Sequence, residues 1–421
     1  MDTSPDRVDL VVVGLGYVGL PLAQEAVRRG LRVRGLDASS RVVDGINRGE
    51  SHVDDLDGDD LTAMASGGFL AGTDPSVVAH AGAVVICVPT PLSEDGGPDL
   101  SAVRSAGTSI GEHLTPGTLV VLESTTYPGT TEEFLLPILE EHSGLRAGTD
   151  FALAFSPERI DPGNQRYGVA NTPKVVGGLT ERCTDTARAL YERFIDTVVP
   201  ARGLREAEMA KLLENTYRHV NIAMVNEMAQ FCHDLDIDLW NVIDLAATKP
   251  FGFQAFYPGP GVGGHCIPID PNYLSHRVRQ RLGHPFRFVE LAQEINASMP
   301  HYVAQRAQNL LNDDSLAVRG STVVLLGVTY KPDIADPRES PAVPLAKRLL
   351  ALGAEVSYHD PFVGTWSVDG VRRVDDVLQA VETHDLSILL QQHAAYDLDM
   401  IVARATRLLD TRGATDTDHR L

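Results

Sequence analysis

The chain has 421 residues, 43% hydrophobic and 22% charged, a balance that points to a globular protein of two or three domains. Its formal charge of −21 argues against nucleic acid or an anionic membrane as the main partner, and no run of about 18 apolar residues predicts a membrane span. An anionic ligand would need a local basic cluster that overrides this mean field.

The first residues, Met1-Asp2-Thr3-Ser4-Pro5-Asp6, are acidic and unlike a signal peptide, so the cytoplasm is the expected compartment. From Asp9 to about Val199, short β-branched runs alternate with helical patterns, which predicts βαβ units on a parallel sheet. Strands are expected at 10–13, 32–36, 83–88, 119–123, 151–155 and 174–177. Gly14-Leu15-Gly16-Tyr17-Val18-Gly19 follows the first strand and opens a helix. In such a run the first glycine makes the tight turn, the second admits a pyrophosphate and the third packs helix on strand. Asp37 ends the second strand, where an acid takes the ribose hydroxyls; no arginine replaces it, although Arg41 is nearby. These residues predict NAD rather than NADP, with Tyr17, Val18, Thr90, Ser124 and Thr125 in the same expected set.

From Leu204 to about Ala247 the pattern turns helical, with Met209, Leu212, Leu213, Tyr217, Val220, Ala223, Met224 and Met228 at three- and four-residue steps. No Gly or Pro interrupts it, so a long helix is expected, broken near 233–238, and a second at 288–311. Long apolar helices between two α/β lobes bury one face internally and another against a second subunit, which predicts a homodimer or higher homo-oligomer. The βα alternation restarts with strands at 322–327, 355–358, 386–390 and 407–410 and a helix at 341–352; the polar tail 415–421 is expected to fray. The fold class is therefore α/β: two Rossmann-like lobes with parallel sheets joined by a long helical connector.

The four cysteines, Cys87, Cys183, Cys232 and Cys266, are far apart, which suggests neither a zinc site nor a disulfide framework. Cys87 and Cys232 read as buried fillers. Cys266 differs, because it ends the run Gly259-Pro260-Gly261-Val262-Gly263-Gly264-His265. Four glycines keep side chains away so that a ligand can approach the backbone, and Asp270 follows four residues on. Such a thiol is placed for attack rather than packing.

That stretch, the phrase Glu206-Ala207-Glu208-Met209-Ala210-Lys211-Leu212-Leu213-Glu214-Asn215, and Tyr330-Lys331-Pro332-Asp333 with Arg338-Glu339-Ser340 together resemble the UDP-glucose/GDP-mannose dehydrogenase family, the nucleotide-sugar 6-dehydrogenases. The resemblance runs from about Val8 to Gly413 and implies a division into an NAD-binding domain (1–200), a central helical domain with the cysteine loop and dimer interface (201–313) and a UDP-sugar-binding domain (314–421). It also implies oxidation of a sugar primary alcohol to a carboxylate by two NAD in turn. In that scheme Cys266 captures the aldehyde as a thiohemiacetal, whose oxidation gives a thioester for hydrolysis.

By the same resemblance, Lys211 stabilises oxyanions, Asn215 holds the reacting oxygen, Asp270 positions water or shares a proton with Lys211, Glu158 is the base for hydrolysis and Thr125 meets the nicotinamide. Their i, i+4 spacing puts Lys211 and Asn215 on one helix face. Taken singly, the lysine and asparagine are compatible with a solvated helix surface, Asp270 with a turn and Glu158 with a helix start; His265 reads as a hydrogen-bonding spacer. Lys331 and Arg338 resemble substrate ligands of the C-terminal lobe, and Lys249 is expected to add charge near the diphosphate. Arg159, Tyr257, Gly261, Gly263 and Gly264 complete the expected substrate set.

Ile269 before Asp270, with Phe251-Gly252-Phe253, Tyr257-Pro258-Gly259-Pro260 and Asp161-Pro162-Gly163-Asn164, resembles most the UDP-N-acetylglucosamine 6-dehydrogenase type. Gln391 departs from the family, which often has threonine there. A UDP-glucose or dTDP-glucose 6-dehydrogenase, a two-electron β-hydroxyacid dehydrogenase and a non-catalytic NAD-binding protein are the alternatives.

Overall fold

A computed structural model describes the chain apart from residues 1–6, 54–55, 94–96, 161–163, 165, 265–266 and 268. Cys266, His265 and the Asp161-Pro162-Gly163 triplet thus lie outside the described residues. The chain divides into two compact units, Met1–Glu214 with Asn272–Arg281, and Asn215–Pro271 with Leu282–Leu421.

The first unit is built on β1 (Val8–Val13), β2 (Val33–Leu36), β3 (Leu70–Gly72), β4 (Ala81–Ile86), β5 (Leu119–Leu122), β6 (Ala152–Phe155), β7 (Lys174–Gly178) and β8 (Val198–Pro200). They form one sheet in the order β3-β2-β1-β4-β5-β6-β7-β8. The central strands are covered on both faces, which is why they read as apolar runs rather than as alternation. Leu10 and Val12 of β1 enter one core with the helix Gly19–Arg28, while Val11 and Val13 enter another on the opposite face. Every pairing is parallel except β6 with β7, which is antiparallel through Ala154↔Gly178 and Phe155↔Gly177. The three-residue strands β3 and β8 were not expected, being too short to carry a period.

The second unit holds β9 (Thr322–Leu326), β10 (Glu355–His359), β11 (Arg372–Arg373), β12 (Leu386–Leu389) and β13 (Leu408–Asp410), all parallel, in the order β11-β10-β9-β12-β13. This repeats the order of the first five strands of the other sheet, so the two Rossmann-like lobes are as expected.

The connector is a helix over Leu204–Asp234 followed by Leu239–Ala247, and the break comes where expected. Asp236 takes a left-handed φ of 56°, and the Asp238 carboxylate then accepts from the amides of Trp240 and Asn241, starting the next helix. The second long helix spans Arg287–Asp313. An unexpected helix, Asp270–Leu282, precedes it. Asp270-Pro271 reads as a turn, but aspartate followed by proline is equally a helix start, since proline needs no amide partner in the first turn. Among the described residues no helix is long and apolar enough to cross a membrane.

The tail corrects the expectation of fraying. The Leu421 carbonyl accepts from Trp240 Nε1 at 2.6 Å, and the Arg420 carbonyl from Arg306 at 3.1 Å. Buried Asp410 takes both the amide and hydroxyl of Thr415 at 2.8 and 2.9 Å. Buried polar groups at Trp240, Arg306 and Asp410 need partners, and the tail supplies them. Deleting 415–421 is expected to lower Tm by roughly 5–10 °C, at about 1 kcal/mol per lost bond; calorimetry showing an unchanged Tm would make the tail dispensable.

Candidate active site

In the first unit, Gly14 has φ 89°, and a Cβ there would lie 2.8 Å from the Cys87 carbonyl oxygen. A Cβ on Gly19 would stand 1.9 Å from the Gly14 carbonyl, whereas one on Gly16 would meet nothing within 4 Å. The outer glycines therefore close the turn and seat the helix, and the middle one leaves an open approach to the backbone. Asp37, half-buried, accepts the Leu15 amide on Oδ2 and the Ser39 amide on Oδ1, each at 2.9 Å. An oriented carboxylate, an open glycine face and a helix N-terminus fit a dinucleotide. Tyr17 is exposed beside this turn, and Val18 packs onto the core beneath it.

The loops after β4 and β5 are tied together. Thr90 Oγ1 donates to the Thr125 carbonyl at 2.8 Å, and Ser124 Oγ to the Val88 carbonyl at 2.6 Å. Tyr273 donates to the Thr90 carbonyl. Glu208, quoted in the family phrase without a role, clamps the loop from the other side. Its carboxylate accepts from the Gly129 amide at 2.5 Å, the Thr131 amide at 2.9 Å and the Thr131 hydroxyl at 2.8 Å. Burial pushes its carboxyl up, against these donors. Its spacing of three residues from Lys211, on one helix face, was the legible signal.

One turn on, Lys211 Nζ lies 3.6 Å from Glu158 Oε2, both nearly buried. Burial raises the Glu158 carboxyl, and Lys211 opposes that rise. Arg159 pairs with Glu214 and donates to the Pro173 carbonyl at 2.7 Å.

In the second unit, Asn215 Nδ2 donates to Asp270 Oδ2 at 2.5 Å. The glycine run differs from expectation in what approaches it. A Cβ on Gly263 would fall 2.7 Å from the Glu339 carbonyl oxygen, and one on Gly264 would fall 2.9 Å from the Tyr330 ring, so here protein atoms use much of the room. Gly261 (φ 133°) lies against Pro341. The run is anchored through Gly259, whose amide donates to Asn226 Oδ1 at 2.9 Å, while Asn226 Nδ2 donates to Asn296 Oδ1 at 2.9 Å. Asn296 in turn donates to the His219 carbonyl at 3.3 Å; burial holds that imidazole neutral, its pKa pushed down to about 4.

Arg338 is aligned by Asp336, Nε to Oδ1 at 2.8 Å and Nη2 to Oδ2 at 2.6 Å. Thr329 Oγ1 donates to the Lys331 carbonyl at 2.8 Å, and Gln391 Nε2 donates to the Thr329 carbonyl at 3.0 Å. Lys249 sits over the Phe251 ring at 5.1 Å, and Tyr257 stacks on Trp240 at 5.6 Å. Arg412 was missed. It is held by the Leu390 carbonyl at 2.6 Å, burial lowers its pKa to about 10, and Nη1 would stand 3.0 Å from a Cβ on Gly259. The signal for it was position: it follows β13, at the strand ends where ligands of open α/β sheets gather. Among the described residues no cluster of three or more His, Cys, Asp or Glu could hold a metal ion.

Three family models match in order: the NAD-binding domain of the UDP-glucose/GDP-mannose dehydrogenase family at 8–195, its central domain at 205–298 and its UDP-binding domain at 324–417. The chain belongs to the UDP-glucose/GDP-mannose dehydrogenase family. It is an NAD-dependent nucleotide-sugar dehydrogenase with a UDP-sugar substrate. It is 34% identical over 417 residues to the NDP-N-acetyl-D-galactosaminuronic acid dehydrogenase of Ralstonia solanacearum, covering 96% of this chain and 95% of that one. To the UDP-N-acetyl-D-glucosamine 6-dehydrogenase of Pseudomonas aeruginosa it is 35% identical over 355 residues, covering 84% and 83%. The solved UDP-D-ManNAc dehydrogenase of Pyrococcus horikoshii superposes with a TM-score of 0.87 at 31% identity, over 97% of this chain and 96% of that one. Membership in this dehydrogenase family also sets aside the β-hydroxyacid and non-catalytic alternatives.

Replacing Asp37 by Ala removes the acceptor of two amides and the carboxylate expected to take the ribose hydroxyls. Calorimetric titration is expected to show NAD binding weakened about tenfold or more, from roughly 1–3 kcal/mol of lost polar contact; unchanged affinity would remove Asp37 from the cofactor site.

Proposed function

We propose that this nucleotide-sugar dehydrogenase oxidises the C6 hydroxymethyl of a UDP-N-acetylhexosamine, UDP-N-acetylglucosamine first, to the uronate through a thioester on Cys266. The observation that carries the reading is the pairing of Lys211 with buried Glu158 in the first unit; in the second, Asn215 is paired with Asp270. Asp270 in turn is four residues from Cys266 in the chain.

The Gly14–Gly19 turn and Asp37, with Thr90, Ser124 and Thr125, would hold NAD, which would supply the acceptor for two electrons in each of two rounds. The chain's own groups do the rest. Lys211 and Asn215 stabilise the negative charge that develops on the C6 oxygen. The Cys266 thiolate adds to the aldehyde, giving a thiohemiacetal, and the second oxidation leaves a thioester. Glu158 then takes a proton from the attacking water, Asp270 helps to position it, and the thiolate leaves. One water enters and four electrons depart, so the product is a carboxylate. Lys331, Arg338, Lys249 and Arg412 supply charge for the diphosphate, with Arg159, Tyr257, Gly261, Gly263 and Gly264 along the sugar and its linkage.

The second reading is the C2 epimer, UDP-N-acetylmannosamine, which the names of several relatives favour. With NAD in excess and UDP-N-acetylglucosamine limiting, about two NADH per sugar are expected, and Cys266→Ser should lower sustained turnover on the order of a thousandfold. Comparing kcat/KM for the two epimers and UDP-glucose assigns the sugar. A ratio near one would sink the thioester route.

The three family-model ranges support the division at about 200 and 313. We also propose a homodimer working in the cytoplasm. Tyr217, Met224 and Phe231 recur every seven residues along the long helix and are exposed, flanked by exposed Leu213 and Leu235. Light scattering should give twice the 45.5 kDa chain mass, falling to the chain mass in Met224→Glu/Phe231→Glu. A wild-type monomer would overturn this assembly.

A further inference from the structure

The first sheet reverses direction between β6 and β7. Lys174, the first residue of β7, therefore lies at the edge where β5 and β6 end. Beyond the paired residues the two segments stay tied by side chains, since Ser156 Oγ donates to the Val175 carbonyl at 2.8 Å and Arg159 Nη1 to the Pro173 carbonyl at 2.7 Å. Extending Ala154↔Gly178 and Phe155↔Gly177 by the same steps sets Lys174 across from Glu158.

Lys174 Nζ is 3.1 Å from Glu123 Oε1 and 5.0 Å from the centroid of the Tyr191 ring. The Tyr191 hydroxyl donates to that same Glu123 oxygen. All three side chains are buried, Glu123 at 1%, Lys174 at 8% and Tyr191 at 0% exposure. The groups facing Glu158 are thus Lys211 from the long helix, Lys174 from β7 and Glu123 from the end of β5. The Cys87 thiol, past β4, faces this set too; burial pushes it well up, which keeps it neutral. The chemistry above uses Lys211 and Glu158 and leaves Lys174, Glu123 and Tyr191 without a task.

We propose that Lys174, gripped by Glu123 and Tyr191, is a positioning residue that supplies a fixed second cation beside Glu158 and keeps that carboxylate ionised for water activation. The proposal rests on Glu158 being the hydrolytic base. Lys211 has two calls on its charge, the substrate oxyanion and Glu158. When it turns to the substrate, Glu158 is left in a dry site where burial favours the protonated, inactive form. Lys174 cannot follow Lys211, because Glu123 and Tyr191 hold it. Stability alone does not account for the arrangement, since a buried ion pair is often no more stable than apolar side chains of similar volume.

The test is the pH profile of steady-state kcat, with saturating NAD and UDP-N-acetylglucosamine, or its C2 epimer where that turns over faster. A base must be deprotonated, so kcat falls on the acidic side. Glu158→Gln should abolish that acidic limb. Lys174→Met removes a cation, raises the carboxyl and should move the limb to higher pH by about one unit or more. Recovery of kcat at pH above the new limb is expected, and Lys174→Arg should keep the limb near its original position. Should Lys174→Met fail to fold with Glu123 stranded, Lys174→Met/Glu123→Gln removes both charges. It should shift the limb the same way but less, because Lys174 acts on Glu158 more strongly than Glu123 does. A limb unmoved in these variants, or a uniform loss of kcat at every pH, overturns the role of Lys174 while leaving Glu158 as the base. An acidic limb that survives in Glu158→Gln overturns the reading of Glu158, and this proposal with it.

Discussion

Two buried carboxylates beyond the ends of parallel strands, Glu123 after β5 and Glu158 after β6, impose the constraint on which this part of the first lobe is organised. A buried carboxylate is costly unless cations enter with it, and burial raises the Glu158 carboxyl. Lys211 comes from the long helix and Lys174 from β7. A parallel β7 would carry its first residue to the opposite edge of the sheet, so the single reversal in strand direction delivers the second lysine. Glu208, three residues before Lys211, meanwhile ties the helix to the loop that carries Thr125. Helix, loop and sheet reversal are thus fixed together by where charge can be buried.

The two lobes repeat one device and then diverge. In the first, Asp37 at the end of β2 accepts the amide that follows Gly14; in the second, Asp360 after β10 accepts the Val328 amide, which follows Gly327, at 2.7 Å. The difference is access. Asp37 is half-buried, whereas Asp360 is fully buried and also accepts from the Phe362 amide at 2.8 Å and Val363 at 3.1 Å. His393 closes it. Its Nδ1 accepts the Asp333 amide at 2.9 Å, which leaves Nε2 as the donor to Asp360 at 3.2 Å. With its oxygens committed inside the protein, Asp360 is closed to a ribose. One lobe is left for NAD, and the other is the lobe that matches a UDP-binding domain.

What could be read from the chain followed from local periodicity. The buried strands, the glycine turn with Asp37 and the helix break before Asp238 each carry their signal within a few residues. The helix at Asp270 was hidden because aspartate-proline serves turns and helix starts alike. The tail was hidden because its order comes from Trp240 and Arg306, distant in sequence. Lys174 sits in an ordinary strand start, and only the antiparallel direction of β7 brings it to the end of the sheet where β6 runs out toward Glu158. Arg412 likewise gains meaning from Gly259, which it approaches in the folded lobe. The glycines around Cys266 were read as room for a ligand, and the fold gives much of that room to Tyr330, Glu339 and Pro341. Signals that depend on register or tertiary approach leave no local pattern.

A chain with a net charge of −21 that binds a nucleotide diphosphate depends on how its cations are held. Beyond about 8 Å of salt solution the mean field is screened, so short-range partners decide. Two of the expected ligands already carry a carboxylate at the surface: Arg159 has Glu214, and Arg338 has Asp336 on two oxygens. A half-exposed pair of this kind contributes on the order of 0–1 kcal/mol, so leaving it for a phosphate costs little. The carboxylate nevertheless fixes the guanidinium in orientation beforehand, which reduces the ordering lost on binding. The acidic surplus is therefore compatible with an anionic substrate, because carboxylates such as Glu214 and Asp336 orient the basic side chains beside them.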